Sequence, residues 1–235
     1  MPPRALTLAI IVSSPCACAV VPDRAPEDRW RVSTVETVNE AGERRTSTVT
    51  YDDLGRRIRH QTRLGDVIER TVVYTFEPDG DVLERIDIEP DDVDRYRYRL
   101  TEDGRIELRM RDGDLDGRFG SYVLHAFGSD GSAVRREYRR IDGETDRIDA
   151  VEAELRSLGT YDYRDGRLAE LATDRGADGD VDRVRSFRYD ELGRTETAVT
   201  REGEEVIRTE TFTYERGPCD TRSLVPEAAA FCVGG

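Results

Sequence analysis

The stretch Tyr189-Asp190-Glu191-Leu192-Gly193-Arg194 decides the fold, because Tyr51-Asp52-Asp53-Leu54-Gly55-Arg56 repeats it near the other end of the chain. A degenerate third copy begins at Tyr161-Asp162. Asp and Gly together supply the left-handed backbone conformations that tight hairpin turns need. Recurrence of one turn at distant positions is typical of a protein assembled from similar units.

The spacing of the glycines that close such turns indicates the size of the unit. Most intervals from Gly55 onward are 24 to 27 residues, long enough for two strands and a second turn. The interval from Gly131 to Gly166 is longer and carries an insertion, in which residues 150–158 are ambiguous between irregular and partly helical structure. The series of turn glycines is Gly42, Gly55, Gly80, Gly104, Gly131, Gly166, Gly193 and Gly217.

Side chains between the turns alternate with a period of two. Tyr96 and Tyr98 stand between arginines, Leu100 follows Arg99, and Leu108 and Met110 stand between charged residues. This period predicts strands with one buried face. We predict an all-β fold, an antiparallel meander of repeated β-hairpins with about fourteen strands of seven to ten residues. Open sheets beyond roughly ten strands tend to curl, so a barrel-like or spiral sheet is expected, with apolar side chains inside and Arg, Asp, Glu and Thr outside.

The two quoted stretches resemble the Tyr-Asp-x-x-Gly-Arg motif of the RHS/YD-repeat family. The positions that match it are Tyr51, Asp52, Gly55, Arg56, Tyr189, Asp190, Gly193 and Arg194, and the weaker units extend the resemblance over residues 38–217. The resemblance implies an exported bacterial protein with a spiralling antiparallel sheet, and it links some members to carbohydrate binding. Only a short cysteine-containing tail follows Tyr214, so a repeat-only member without a toxin domain is expected.

The two ends of the chain indicate export. Residues 1–19 have a basic start, a short apolar run and small residues that end at Ala19, which is typical of a signal peptide. Cys18 is an alternative lipid-attachment residue, which leaves a lipid-anchored and a freely released protein both open. Residues 20–28 are expected to be a linker, 29–217 the β domain and 218–235 a tail in which Cys219 and Cys232 form a disulfide. The predicted location is the bacterial cell envelope or the medium.

Composition narrows the partners. The formal net charge is −14, and the chain has 36 arginines and no lysine. Nucleic acids and anionic membrane surfaces require a cationic footprint, so neither is an expected partner. No stretch of the mature chain approaches the ~20 apolar residues of a spanning helix, so a lipid anchor is the one membrane attachment predicted.

Acidic turns suggest calcium as the one cofactor to consider. Asp112, Asp114 and Asp116 with Gly117 satisfy the Asp-x-Asp-x-Asp-Gly opening of an EF-hand-like loop, but the twelfth position is Val123 instead of the bidentate glutamate. A second partial match follows the first by about sixty residues, and hairpin turns that use Asp and Gly for backbone geometry are the simpler interpretation of both. The second partial match contains the carboxylates of Asp174, Asp178, Asp180 and Asp182.

No catalytic motif is present in the sequence, and His60 and His125 lie inside predicted strands with no motif around either. We therefore expect a non-enzymatic scaffold or binding protein of the envelope that recognises an extracellular carbohydrate or protein. Two alternatives stay open: a calcium-stabilised structural module, and an envelope hydrolase that uses a pair of carboxylates.

Overall fold

The computed structural model describes residues 28–77, 82–102, 105–147, 152–218 and 232–233. Within them all regular structure is β-strand, as alternation predicts. The strands are β1 Asp28–Asn39, β2 Arg44–Tyr51, β3 Arg57–Leu64, β4 Val67–Phe76, β5 Val82–Glu89, β6 Asp92–Leu100, β7 Ile106–Asp112, β8 Phe119–Phe127, β9 Ala133–Thr145, β10 Ala153–Arg164, β11 Arg167–Arg175, β12 Arg183–Tyr189, β13 Thr195–Glu202, β14 Glu205–Pro218 and β15 Cys232–Val233.

The sheet closes on itself. Each strand from β1 to β14 pairs antiparallel with its neighbours in sequence, and β14 also pairs with β1, from Asp28↔Pro218 to Asn39↔Arg208. The short β15 pairs with the start of β1. The predicted meander of about fourteen strands is therefore confirmed, and of the two predicted shapes the chain adopts the barrel.

Strand lengths differ from the prediction at two places. The closing strands β1 and β14 have 12 and 14 residues, and the hairpin of β9 and β10 has 13 and 12. The insertion between Gly131 and Gly166 therefore lengthens a hairpin, and the expectation of helical or irregular structure is wrong for residues 153–158, which belong to β10. Leu155 pairs with Arg139 there, so backbone pairing across the sheet outweighs the weak helical propensity of the segment.

The two Tyr-Asp stretches form the same turn. The Asp190 amide donates to the Arg194 carbonyl (2.8 Å), and the Gly193 amide donates to the Asp190 carbonyl (2.9 Å). The Asp190 carboxylate accepts hydrogen bonds from the Leu192 amide (3.0 Å), the Arg194 amide (2.8 Å) and Arg194 Nε (2.6 Å). Gly193 has a φ of 78°, where an L side chain is strained. The first copy, residues 52–56, repeats every one of these bonds.

The same turn persists where the motif is lost. The Thr101 amide donates to the Arg105 carbonyl and the Gly128 amide to the Ser132 carbonyl, each at 2.8 Å. In the first of these turns the Thr101 hydroxyl accepts from the Arg105 amide (3.1 Å), in the position of the aspartate oxygen. The hairpin unit is therefore a backbone structure that several polar side chains can cap.

A β-bulge follows each turn at this end of the barrel. The strand that leaves the turn carries one extra residue near its start: Thr50 pairs with Arg59 and Tyr51 with Arg57, which leaves Ile58 without a pairing partner in the ladder. Bulges increase local twist and redirect side chains, so this repeated shift helps the long meander to curl. The six extra residues are Ile58, Leu83, Glu107, Val134, Ala169 and Glu196.

At several turns, the arginine that follows the glycine stacks on an aromatic ring of the following unit. Arg56 lies over Phe76 at 4.7 Å from the ring centroid, Arg105 over Phe127 at 4.5 Å and Arg194 over Tyr214 at 5.4 Å. Such cation–π contacts contribute about 0.5–1 kcal/mol each at exposed sites. The last residue of the Tyr-Asp-x-x-Gly-Arg motif thus links one hairpin to the next.

Apolar side chains fill the end of the barrel that carries these turns. Val32, Val35 and Val49 form one buried cluster, with the rings of Tyr51 and Phe212 against it. A second cluster contains Tyr161, Leu168, Leu171, Phe187 and Ala198. The tyrosine hydroxyls reach backbone carbonyls, such as Tyr51 to Val32 (2.8 Å) and Tyr189 to Leu168 (2.8 Å). These aromatic side chains therefore have a structural role, as the repeat period indicates.

Candidate functional site

A cavity of about 810 Å³ lies inside the barrel. Its walls come from β1 to β5, β7, β12 and β14, so residues from opposite sides of the sheet face each other across it. Seven arginines and three glutamates line the cavity together with one histidine: Arg45, Arg57, Arg70, Arg85, Arg109, Arg185 and Arg208, then Glu69, Glu89 and Glu210, then His60. The lining is therefore cationic in a protein whose net charge is −14.

These arginines overturn the expectation that charged residues lie only on the outer face. Arg85 is paired across the sheet with Tyr74 and Tyr96, and Arg109 with Tyr98, so they share the face of the interior tyrosines. Arg85 lies over the Tyr96 ring at 5.1 Å and Arg109 over the same ring at 5.2 Å. An arginine can place its guanidinium flat on a ring and keep its stem in apolar surroundings, which an alternation pattern does not reveal.

The apolar residues of β7 face the other way. Leu108 and Met110 alternate with Arg109 along the strand and therefore point away from the cavity. Both side chains are buried, in a cluster with Phe119, Tyr122 and Ile141. Burial alternates along β7, where Arg109 is half-buried on the cavity face. On β8 consecutive side chains such as Tyr122 and Val123 are buried, whereas the sequence predicts one buried face per strand.

Two buried carboxylates balance part of the positive charge. Asp87, on β5, accepts hydrogen bonds from Arg85 Nε (2.6 Å) and from Arg70. Burial by itself raises the pKa of Asp87, but the hydrogen bonds and charges of Arg85 and Arg70 outweigh it and hold the pKa below its ordinary value. A carboxylate held in this way stays ionised, which does not suit the proton donor of a hydrolase.

Glu210 has the same arrangement on β14. Arg185 Nη2 lies 2.7 Å and Arg208 Nη2 2.8 Å from its two oxygens, and the glutamate side chain is 9% exposed. Arg45 is paired with Glu69 at 2.6 Å. Most arginines of the cavity therefore have a carboxylate partner within the protein.

Arg109 differs from these carboxylate-paired arginines. Among the described residues, no carboxylate oxygen lies within 4.0 Å of its guanidinium, and its buried Nε has no hydrogen-bond partner. Its guanidinium lies over the Tyr96 ring instead. A partly buried cation without an anion is costly in the free protein, so Arg109 is the side chain in the cavity best suited to meet an anionic ligand.

His60 lies on β3 between two valines, paired with Val49 on one side and Val72 on the other. Burial, together with the charges of Arg57, Arg70 and Arg85, lowers the pKa of His60 to about 4. The imidazole is therefore neutral near pH 7. Its buried Nε2 has no hydrogen-bond partner among the described residues.

The acidic turns considered as calcium sites lie at the opposite end of the barrel from the Tyr-Asp turns. The structure brings Asp112, Asp114 and Asp116 together, with one carboxylate oxygen of each within 4.8 Å of the others. In the second loop, both oxygens of Asp174 accept backbone hydrogen bonds, from the Asp178 amide (3.2 Å) and the Gly179 amide (2.9 Å). Within the described part of the chain, only the first group meets this distance criterion.

Several predicted features lie outside the described residues. The signal peptide 1–19, the tentative lipidation site Cys18 and most of the linker precede residue 28, and Cys219 lies in the segment 219–231. Cys232 belongs to β15, but its side chain is not described. The export signal, the lipid anchor and the Cys219–Cys232 disulfide therefore remain predictions. No helix long and apolar enough to cross a membrane occurs in the described residues.

Sequence reasoning missed the cavity arginines. A signal was present in Arg85-Ile86-Asp87, because residues two apart in a strand share a face and opposite charges two apart can pair there. The same spacing recurs at Arg208 and Glu210. Both pairs lie on the face of the sheet that carries the interior tyrosines.

Comparison with known proteins gives matches among solved structures alone. No family model matches the chain, and no curated protein does. Among solved structures, a porin-like protein from Bacteroides uniformis is similar at 12% identity, with a TM-score of 0.43 over 78% of this chain and 96% of that chain.

Two toxin structures are also similar. The TcdB2-TccC3-TEV structure matches at 12% identity and a TM-score of 0.31, over 72% of this chain and 12% of that one. The Tc holotoxin pore of Photorhabdus luminescens matches at 10% identity and a TM-score of 0.28, over 74% of this chain and 15% of that one. These TM-scores are too low to carry an argument about the fold or function of this chain.

Proposed function

We propose that this protein is a non-enzymatic, exported β-barrel of the YD-repeat type that binds a small acidic saccharide inside its barrel. The observation that carries the proposal is Arg109, a cavity-lining cation for which the described part of the protein supplies no carboxylate. The export signal of residues 1–19 and the twice-repeated turn of the Tyr-Asp motif support the location and the family.

Cavity size separates the two expected classes of partner. Pockets for small ligands measure about 300–1,000 Å³, and this cavity measures about 810 Å³. That volume suits a mono- or oligosaccharide, whereas a folded protein would have to bind elsewhere on the surface. Of carbohydrate and protein, the geometry favours carbohydrate.

The chemistry of the lining favours an acidic sugar. Arginine binds carboxylate, sulfate and phosphate groups through charge-assisted, often bidentate hydrogen bonds. Thr37, Asn39 and Thr62 supply polar groups for hydroxyls, and Tyr74 supplies a ring edge or face on the same wall. A uronic acid, with one carboxylate and several hydroxyls on a compact ring, matches this combination.

Isothermal titration with galacturonate and glucuronate oligosaccharides tests the proposal, with glucose oligomers of equal length as the neutral comparison. We expect the acidic sugars to bind more tightly than the neutral ones, and more weakly as salt is raised. In the Arg109→Gln variant we expect affinity to fall about 10- to 100-fold, because a hydrogen bond to a charged group contributes about 1.5–3 kcal/mol.

Arg188→Gln is the matched control, since the Arg188 side chain is 74% exposed and pairs only with Glu196 in the described residues. It should bind like the parent. Because Arg109 has no anionic partner, Arg109→Gln should melt at or above the parent temperature, which separates lost binding from lost folding. Equal affinity of parent and Arg109→Gln, or no binding of any acidic sugar at millimolar concentration, would contradict the proposal.

A further inference from the structure

The loop between β7 and β8 carries the three carboxylates of Asp112, Asp114 and Asp116. One oxygen from each lies within 4.8 Å of the others. Calcium binds oxygens at 2.3–2.6 Å, so oxygens separated by no more than about twice that distance can all contact one ion. Position and spacing are therefore compatible with a single Ca²⁺.

Acidic side chains on a surface turn do not by themselves make a site, and the buried Asp112 supplies the second observation. Its side chain is fully buried, at 0% exposure. Oδ2 accepts a hydrogen bond from the Gly117 amide (3.1 Å) and lies 3.9 Å from Arg95 Nη1. Oδ1 is buried and has no hydrogen-bond partner. A buried carboxylate oxygen without a partner costs free energy that a bound cation would recover.

The second acidic loop shows what an aspartate at the same place does without an ion. Asp112 is the last residue of β7 and Asp174 the second-last residue of β11. Each accepts a hydrogen bond from the amide of a glycine five residues later, Gly117 and Gly179 respectively. Asp174 uses its other oxygen for the Asp178 amide (3.2 Å). Both oxygens of Asp174 are thus satisfied by the loop, whereas one oxygen of Asp112 is left over.

The other two carboxylates retain free ligand capacity. Asp114 Oδ1 accepts at 3.5 Å from the Asp116 amide, and Asp116 Oδ1 accepts at 2.7 Å from the Arg118 amide. Each therefore has a second oxygen without a hydrogen bond in the described structure. Arg118, the one arginine within the loop, is directed to Glu144 at 3.2 Å and does not neutralise the cluster.

We propose that the β7–β8 loop binds one Ca²⁺ through Asp112, Asp114 and Asp116. The twelfth position of an EF-hand loop, which supplies a bidentate glutamate, is here Val123 in the middle of β8 and cannot contribute. Three carboxylates without that glutamate place the affinity in the 10⁻⁴–10⁻³ M range of extracellular calcium modules. This site is separate from the saccharide cavity and does not depend on it.

Titration of the chelator-stripped full chain with CaCl₂ tests the site, by calorimetry and by the backbone amide signals of Gly113 and Gly117 in ¹⁵N spectra. We expect one ion per chain, shifts of these two signals and a rise of several degrees in melting temperature at 10 mM CaCl₂. Asp114→Asn combined with Asp116→Asn should weaken binding at least tenfold. Both side chains are exposed, so this variant should still fold.

Asp178→Asn combined with Asp180→Asn removes the same charge from the second loop and should leave calcium binding unchanged. Three results would overturn the site: no heat and no change in the glycine signals at 10 mM CaCl₂, an equal loss of binding in both double variants, or an equal response to MgCl₂. The last two would show that calcium only screens the negative surface.

Discussion

Replacing Asp190 by alanine should destabilise the barrel by about 2 kcal/mol. The substitution removes three acceptor contacts, to the Leu192 amide, the Arg194 amide and Arg194 Nε. The Leu192 amide is exposed and can bind water instead, so the loss comes mainly from the two bonds to Arg194. A hydrogen bond contributes about 1 kcal/mol, and one to a charged group about 1.5–3 kcal/mol. The side chains of Arg194 and Asp190 are 22% and 25% exposed, so solvent screening places the sum near the lower end.

Urea unfolding followed by circular dichroism measures this difference. With a slope of about 2 kcal/mol/M, the Asp190→Ala midpoint should lie about 1 M below that of the parent. Asp190→Asn should lose about half as much, because its amide oxygen can still accept from the two backbone amides. Glu191→Ala, one residue further along the same turn and exposed, is the control and should stay within about 0.5 kcal/mol.

The pH dependence gives an internal check. Partial burial raises the pKa of Asp190, but the hydrogen bonds from Arg194 outweigh it and hold the pKa below its ordinary value. A group with a lowered pKa in the folded state stabilises above its unfolded pKa, and this contribution is lost as pH falls through the folded pKa. The gap between parent and Asp190→Ala should therefore shrink below about pH 4. An Asp190→Ala variant within 0.5 kcal/mol of the parent at pH 7 would refute this account of the turn.

Two further predictions concern single residues. Gly193→Ala should lower the free energy of unfolding more than Gly42→Ala does in the same assay. Both glycines have a φ of 78°, but a Cβ at position 193 would lie 2.6 Å from Arg167 Nη2, whereas a Cβ at position 42 would have no atom within 4 Å. Equal losses would show that the contact with Arg167 is irrelevant. Stability should fall by as much as about 3 kcal/mol between pH 6.5 and pH 4, because the pKa of His60 drops from 6.5 to about 4 on folding and the unfolded chain takes up the proton first. In His60→Gln this decline should be smaller, and an unchanged decline would assign it to other groups.

The sequence predicts the hairpin unit well because the unit depends on local chemistry. Asp190, Gly193 and Arg194 contact one another within five residues, so their spacing carries the whole turn. Gly42, expected to close a turn, has the left-handed φ that such a turn requires. The strand count follows from the same repetition.

The choice between a barrel and a spiral could not be predicted from the repeats. It depends on pairing between β1 and β14, such as Val32↔Tyr214, at a separation that no local pattern encodes. Which face of the sheet each arginine occupies could not be predicted for a different reason. Arg97 and Arg109 both alternate with apolar residues, yet Arg97 pairs with Glu84 away from the cavity and Arg109 lines it, because β6 and β7 place their apolar residues on opposite faces.

The two acidic loops show that a candidate metal site is also difficult to predict from sequence. Asp112 and Asp174 stand in similar stretches of Asp and Gly, and neither sequence is a complete calcium loop. The structure distinguishes them, since both oxygens of Asp174 accept hydrogen bonds from amides whereas one oxygen of Asp112 has no hydrogen-bond partner. That difference arises because the Asp178 amide donates to Asp174, whereas no corresponding amide reaches the second oxygen of Asp112.

Closure between β1 and β14 also sets the order in which the chain can finish folding. Hairpins from β2 to β13 join neighbours and can form as the chain is made, but the outer edge of β1 must wait for the last 14 residues of the sheet. Until then the growing sheet has two open edges, and open edges pair with other chains. A chain shortened by its final hairpin would keep both edges, so we expect it to assemble into dimers or larger species. The number of repeats is in this sense a condition for closing the sheet.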